Sequence, residues 1–361
     1  MSPSPSAVRA VGLVARREIG SKLRSKVFVI STAILLLGAL AAVVWGGFQA
    51  QTVLTTSVAV TSDTSAEVSA IPNVSVTEAP NPDAATALVE SGTVDAAVVP
   101  DSSSPVGVSV IATESAPQQL ILALGTFPTV TLLDPAPGDD IAQYIVSIAF
   151  GIVFLLAASV FGGTIAQSVV EEKQTRVVEL LISAIPTRAL LAGKVLGNTV
   201  LAMAQIIAMA AIGVLGVSVT GQSVALDGIG PAIAWFAVFF LFGFILLASL
   251  FAAAGALVSR QEDVGATTTP LTMLILIPYF LVIFAHDNPL VLAIMSYVPF
   301  SAPVGMPVRI FTGEAQWWEP IVSLVILIAT CAAAVAIGAR IYENSVLRMG
   351  ARVRWRDALK R

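Results

Sequence analysis

Residues 26–48 read KVFVISTAILLLGALAAVVWGGF. The lysine that opens this stretch is the last Lys or Arg before Lys173, and residues 49–140 between them hold eleven Asp and Glu. An apolar run of this length suits a helix crossing a hydrocarbon core about 30 Å thick, which takes roughly 20 residues. Membrane proteins keep positive charge on the cytoplasmic side, so a long segment stripped of it beyond an apolar span is expected outside. A basic N-terminus followed by an apolar run also describes a signal peptide. This run is longer than an h-region of about 7 to 15 residues, and it reads as an uncleaved span.

The whole chain supports that reading. Of 361 residues, 56% are hydrophobic and 12% charged, mean hydropathy is +0.88, and a soluble domain carries about 25% charged residues. The chain is expected to be a polytopic α-helical membrane protein with six transmembrane helices, at 27–48, 141–168, 195–217, 232–258, 267–285 and 320–340. An even number returns both termini to one side. Residues 1–26, read as a basic N-terminal helix, carry Arg9, Arg16, Arg17, Lys22, Arg24 and Lys26. The other end carries Arg340 and then, in the 341–361 tail, Arg348, Arg352, Arg354, Arg356, Lys360 and Arg361. The 169–194 connection adds Lys173, Arg176, Arg188 and Lys194, and the fourth connection adds Arg260. Placing all of these in the cytoplasm accounts for eighteen of the nineteen basic residues and leaves Arg309 outside.

Residues 49–140 are expected to form a small extracytoplasmic α/β domain between helices 1 and 2. Strand-like runs at Val53 to Val60, Val94 to Val99 and Val106 to Ile111 alternate with helix-like runs at Pro82 to Glu90, which opens on an Asn81-Pro82 start signal and stops at Gly92, and at Ala116 to Leu124, which stops at Gly125. The 28-residue second span would be about 42 Å long as a helix, so it should project from the bilayer or tilt. Residues 286–319, broken by Pro289, Pro299, Pro303 and Pro307, read as an extracytoplasmic re-entrant or interfacial segment. Trp317 and Trp318 would anchor at the headgroups. With one Cys (Cys331) and one His (His286), an intrachain disulfide is excluded and a structural His/Cys zinc site, which takes four ligands, is essentially impossible. His286 beside Asp287 reads as a loop rather than an acid–base pair. Segregated charge gives no reason to expect nucleic acid as a partner.

Residues 169–194 read VVEEKQTRVVELLISAIPTRALLAGK. Glu172 with Arg176 at i,i+4 and Arg176 with Glu179 at i,i+3 predict a short helix. Val170, Val177, Val178, Leu181 and Ile185 can gather on its other side, and Pro186 ends it. By themselves such charges describe either a contact surface or a solvated face beside lipid headgroups.

In residue order the chain resembles the permease subunits of type-2 ATP-binding-cassette exporters. The resemblance rests on the acidic pair and lysine Glu171, Glu172 and Lys173 after the second span, then Glu179, Leu180 and Leu181, Ser183 with Pro186, and Gly193 with Lys194 entering the third span. Pro299, Ser301 and Pro303, followed by Pro307 and Arg309, match a Pro-x-Ser-x-Pro run before span six. The large segment between spans one and two is most similar to that of the NatB-like sodium and drug efflux branch. The resemblance implies an export permease in the bacterial inner membrane, paired with a second copy or paralogue and driven by a cytoplasmic ATPase. It also implies an ATPase-coupling element with Glu171, Glu172, Lys173, Arg176, Glu179 and Pro186, and an outer gate region with Pro299, Ser301, Pro303, Pro307 and Arg309.

A Walker A string, G-x-x-x-x-G-K-[ST], is absent: Gly193-Lys194 is followed by Val195 and lacks the upstream glycine. ATP and Mg²⁺ would therefore belong to the partner, and this chain is expected to hold no catalytic, cofactor or metal residue. Hydrolase signatures are absent as well. Ionisable residues are nearly missing from the six spans, with Gln143, Gln167, Asn198 and Gln205 the main polar groups, which argues against an ion relay. Gly193-x-x-x-Gly197 and Ala248, Ala252 and Ala256 have the spacing of close helix packing. The arginine-rich stretch from Tyr342 to Arg361 either lies on anionic membrane lipid or merely fixes orientation. Two rival functions remain at this level: an ATP-independent channel or secondary transporter, and a membrane-anchored sensor or assembly factor working through residues 49–140.

Overall fold

The computed structural model describes residues 6–51, 56–69, 71, 74–102, 104, 107–113, 117, 120–121, 129–132, 140–220, 229–285 and 288–347. Its elements are α1 (Ala7–Arg24), α2 (Lys26–Gln51), β1 (Thr56–Val60), α3 (Ser65–Ser69), β2 (Val74–Glu78), α4 (Pro82–Glu90), β3 (Ala96–Pro100), β4 (Val108–Ala112), β5 (Thr129–Leu132) and α5 (Asp140–Gln174). They continue with α6 (Val177–Ala184), α7 (Thr187–Thr220), α8 (Ile229–Ala256), α9 (Val264–Phe284), α10 (Pro289–Tyr297), α11 (Ala302–Phe311) and α12 (Glu319–Ser345). Two units separate, residues 46–142 and residues 1–45 with 143–361.

The 46–142 unit is a mixed five-stranded sheet in the order β2-β1-β3-β4-β5. β1 runs parallel to β2 and β3, β4 is antiparallel to β3, and β5 is parallel to β4. Strands covered on both faces read as unbroken apolar runs, as Ala96 to Val99 do here. Val58, Val60, Val98 and Val110 pack on one face, and Ala59, Ala97 and Val99 meet Ala85 and Val89 of α4 on the other. Helix α4 starts where expected: Asn81 caps it, accepting from the Ala84 amide at 2.7 Å, and Pro82 follows. Three strands match the sequence expectation, while β2 and β5 were not foreseen. The expected helix at 116–124, the His286–Asp287 pair and the arginine-rich tail beyond Leu347 lie largely or wholly outside the described residues.

Among the described residues of the other unit six helices are long and apolar enough to cross a membrane: Lys26–Val44, Tyr144–Gln174, Thr187–Leu215, Ile229–Ala256, Gln261–Phe284 and Glu319–Ser345. Lipid offers no hydrophobic drive between helices, so their association rests on fitted contact. α8 is the axis, with 67% of its span window buried against 0% for α2. Its Phe236, Phe240 and Phe244 face Phe150, Phe154 and Phe161 of α5, with ring centroids 4.9, 6.0 and 5.9 Å apart. Small residues set the other approaches. A Cβ on Gly255 would lie 2.6 Å from the Ala166 oxygen, and one on Gly338 2.9 Å from the Ser249 oxygen.

The 169–194 connection differs from its prediction. α5 continues to Gln174 and α7 already begins at Thr187, so only residues 175–186 lie between the two helices, with α6 as a separate element. Arg176 adopts a left-handed conformation (φ 57°), which interrupts the helix between Glu172 and Glu179. The expected Glu172–Arg176 pair does not form, because Glu172 turns inward to other partners.

Candidate functional site

The helix end at which α5, α7, α8 and α12 meet is held by buried charge. Lys194, in the second turn of α7, is 1% exposed and reaches Glu18 of α1 at 2.8 Å and Glu172 of α5 at 3.0 Å. Its ammonium also donates to Ser168 Oγ at 2.7 Å, which leaves the Glu172 Oε2 contact an ion pair rather than an aligned hydrogen bond. The other Glu172 oxygen accepts from Arg17 at 3.1 Å. Two cations thus face two carboxylates, the arrangement that makes burial of charge tolerable. Removing Lys194 would leave Glu18 without its ion-pair partner, and removing Glu172 would do the same to Arg17.

Helix α1 enters this cluster through close backbone approach. Ala10, Val14, Ala15 and Glu18 form its buried face. They lie against Gly193 and Gly197, where an added Cβ would come within 2.4 Å of Val14 Cβ and 2.9 Å of the Ala15 oxygen. The glycine pair is internal packing, as expected, and its partner is the N-terminal helix. Half-buried Lys22 sits one turn beyond Glu18; burial pushes its ammonium down to about 8, with Lys194 adding to the shift and Glu18 and Glu171 opposing it.

Lys173, one residue from Glu172 and fully buried, does different work. It donates to the Ala256 oxygen at 2.9 Å and the Ser345 oxygen at 3.0 Å. These residues end α8 and α12, where carbonyls lack partners within their own helix. A single ammonium therefore caps two helix C-termini and lies at the negative ends of both helix dipoles. Arg188 of α7 forks onto Glu343 of α12 at 2.8 and 3.2 Å, but Arg188 is 78% exposed, and such a pair adds at most about 1 kcal/mol.

The six residues expected to couple to an ATPase thus fall into two groups. Glu172 and Lys173 are buried in the helix ends, whereas Glu171, Arg176, Glu179 and Pro186 are exposed. Val178, Leu181, Ile182 and Ile185 hold α6 to the core, and Glu179, Leu180 and Ser183 face outward, with Leu180 74% exposed. Pro186 opens α7: its carbonyl accepts from Ala189 and Leu190, and Ile185 before it is extended.

The residues assigned to an outer gate also come together. The Pro-rich stretch holds the two short helices α10 and α11, and Ser301, Pro303, Pro307 and Arg309 are buried there, with Pro299 half-buried. Pro303 seats on Gly243 of α8, where an added Cβ would be 2.5 Å from its ring. Ser301 Oγ donates to the Met295 oxygen at 2.8 Å, and Ser323 of α12 donates to the Ser296 oxygen. Arg309 pairs with Glu319 at the start of α12 and donates to the Glu314 oxygen at 3.1 Å.

Sequence reasoning missed Glu18, Lys194 and Glu319 as site residues. Glu18 falls at i+4 and i+8 from Val14 and Ala10, on an otherwise apolar face. Lys194 stands alone in the run LLAGKVLG. A lone charge on an apolar face was the signal in both.

A family model for ABC-2 family transporter protein matches the sequence over residues 24–340. The chain belongs to the ABC-2 transporter family. As an ABC-2 family member with six long apolar helices among its described residues, it is a multi-pass membrane protein. Two curated relatives are themselves uncharacterized proteins. YhaP of Bacillus subtilis is 29% identical over 61% of this chain and 56% of its own length. MJ1024 of Methanocaldococcus jannaschii is 28% identical over 55% of this chain and 49% of its own. The chain thus spans about half the length of the curated relatives it matches. No solved structure matches it.

Proposed function

We propose that this ABC-2 family member is the permease of an ATP-driven exporter in the bacterial inner membrane, with both termini cytoplasmic and a separate ATPase seated on residues 171–186. The observation that carries this reading is the division of the charged connection. Its buried members fasten the helix ends together, and its exposed members leave Glu171, Arg176, Glu179 and Leu180 displayed around a short helix braced against the core. A partner that pushes on α6 pushes on a segment joined through Thr175 and Arg176 to α5 and through Ile185 and Pro186 to α7. Motion of the partner would then pass to the spans. ATP and Mg²⁺ are assigned to that partner, since no phosphate-cradling string occurs in this chain.

Orientation follows from the distribution of basic residues, which puts the 46–142 unit outside. A second copy or a paralogue would complete the pathway. The sodium-extrusion branch is supported by the size of the 46–142 unit alone. Buried charge is gathered at helix ends, and the middles of the spans offer apolar and amide groups, a surface suited to an apolar cargo as much as to a cation.

The test is affinity purification of the tagged chain from native membranes in mild detergent, beside Glu171→Lys/Glu179→Lys. Both residues are exposed, so the variant should fold. A Walker A protein retained in stoichiometric amount by the native chain and lost by the variant is the expected result. Absence of any ATPase from folded native chain would overturn the reading.

A further inference from the structure

Beside the face that α1 packs on α7 lies a second face that nothing among the described residues covers. Leu13, Arg16, Arg17, Gly20, Ser21 and Arg24 fall at helical spacings of three and four. Together with Ser25 they line an open groove of about 660 Å³. Gly20 and Ser21 leave room between three guanidinium groups. Arg17 pairs with Glu172, and Arg16 and Arg24 make no ion pair among the described residues. The guanidinium fork matches the oxygens of a phosphate better than it matches a point charge.

The groove ends at Ser25, and the first span begins at the next residue. Directly beyond it Val27, Ile30, Ile34 and Leu37 are 79, 56, 64 and 63% exposed, at spacings that put them along one side of α2. A cluster of arginines at the level where a span enters the bilayer therefore continues into an uncovered apolar stripe. Phosphate and acyl chain are the two chemistries this sequence of surfaces accepts, in that order along the helix. We propose that the groove seats the phosphate of an anionic phospholipid, with an acyl chain lying on the Val27–Leu37 side of α2. The proposal holds for either orientation of the chain, so it stands apart from the exporter reading. Because Arg17 belongs both to the groove and to the buried ion cluster, a headgroup phosphate competes with Glu172 for that guanidinium, and lipid occupancy is thereby tied to the cluster.

The experiment is native mass spectrometry of the full chain in detergent, titrated separately with dioleoylphosphatidylglycerol, dioleoylphosphatidylcholine and inorganic phosphate. Arg16→Gln/Arg24→Gln is compared with the native chain, since both residues are exposed and outside the ion cluster. Arg16→Lys/Arg24→Lys keeps the charge without the fork. The expected result is saturable phosphatidylglycerol binding, weakened about fivefold per arginine and roughly 25-fold in the double Gln variant. The Lys variant should fall between, and phosphatidylcholine should bind no better to the native chain than to either variant. Equal phosphatidylglycerol binding by the native chain and the Gln variant overturns the proposal. So does displacement of the lipid by millimolar inorganic phosphate, which would make the groove a site for a soluble anion. Loss of a copurifying protein from the Gln variant with lipid binding unchanged would reassign this face to protein docking.

Discussion

Replacing Lys194 by Met removes a 1% exposed ammonium from between two carboxylate oxygens 2.8 and 3.0 Å away. Glu172 would keep Arg17, whose side chain is 47% exposed and partly screened by solvent, while Glu18 would lose its ion-pair partner and feel only the charge of half-buried Lys22 one turn away. Taking one partner from a buried ion pair costs about 3–5 kcal/mol, most of it the burden of the orphaned charge. Loss of the Ser168 hydrogen bond adds about 1 kcal/mol. Lys194→Met should therefore unfold several degrees below the parent in detergent, read by tryptophan fluorescence on heating. Glu18→Gln alone should cost less, since Lys194 keeps Glu172. The combination Lys194→Met/Glu18→Gln should recover more than half of the loss, because it removes the orphan along with its partner. A double-mutant cycle on these four proteins gives a coupling energy directly. If Lys194→Met melts with the parent, or if the two losses simply add, the cluster carries no net interaction and buried charge does not hold these helix ends together.

Two further predictions concern α1. Gly197→Leu places side-chain atoms where an added Cβ would already lie 2.9 Å from the Ala15 oxygen. It should cost about 1–3 kcal/mol by overpacking and make α1 more accessible to limited proteolysis than in a Gly213→Leu control, whose Cβ meets nothing. For Lys22, burial lowers the pKa from the ordinary 10.5 to about 8 in the folded chain. Between these values the unfolded chain holds a proton that the folded chain has released, so stability rises from about pH 8 to about pH 10.5. A melting series over that range should show the rise in the parent and lose this contribution in Lys22→Met; identical slopes in the two would count against the buried placement.

How much of the molecule could be read from the chain differs by the range of the interaction. The spans are local apolar runs, and a period or a run length finds them without knowledge of any partner. The same holds for α4, whose Asn81-Pro82 start lies within a few residues of everything it needs. The strands 74–78 and 129–132 escaped notice because each is short and makes sense only beside a strand already in place. The charged connection was misjudged for a different reason. Glu172 and Arg176 stand four apart, and local spacing pairs them. The true partners of Glu172 lie 155 residues upstream at Arg17 and 22 downstream at Lys194. Lipid excludes the water that would otherwise satisfy a carboxylate at a helix end, so a long-range cation outcompetes a nearby exposed one. The outer cluster repeats the lesson. Arg309 was placed on its side of the membrane by charge counting, but its ion pair with Glu319 depends on how α11 packs against α12.

The ammonium of Lys173 limits how this bundle can move. A hydrogen bond is lost when donor and acceptor separate by little more than half an ångström beyond the usual 2.9 Å, and Lys173 holds the ends of α8 and α12 at 2.9 and 3.0 Å from a single atom at the end of α5. Three of the six spans therefore travel as one piece at that end, turning about a shared pivot. α2, with 0% of its span window buried, is not among the three: it meets α5 where Phe28 lies edge-on to Phe161, ring centroids 5.7 Å apart, just past Ser25, the single extended residue between α1 and α2.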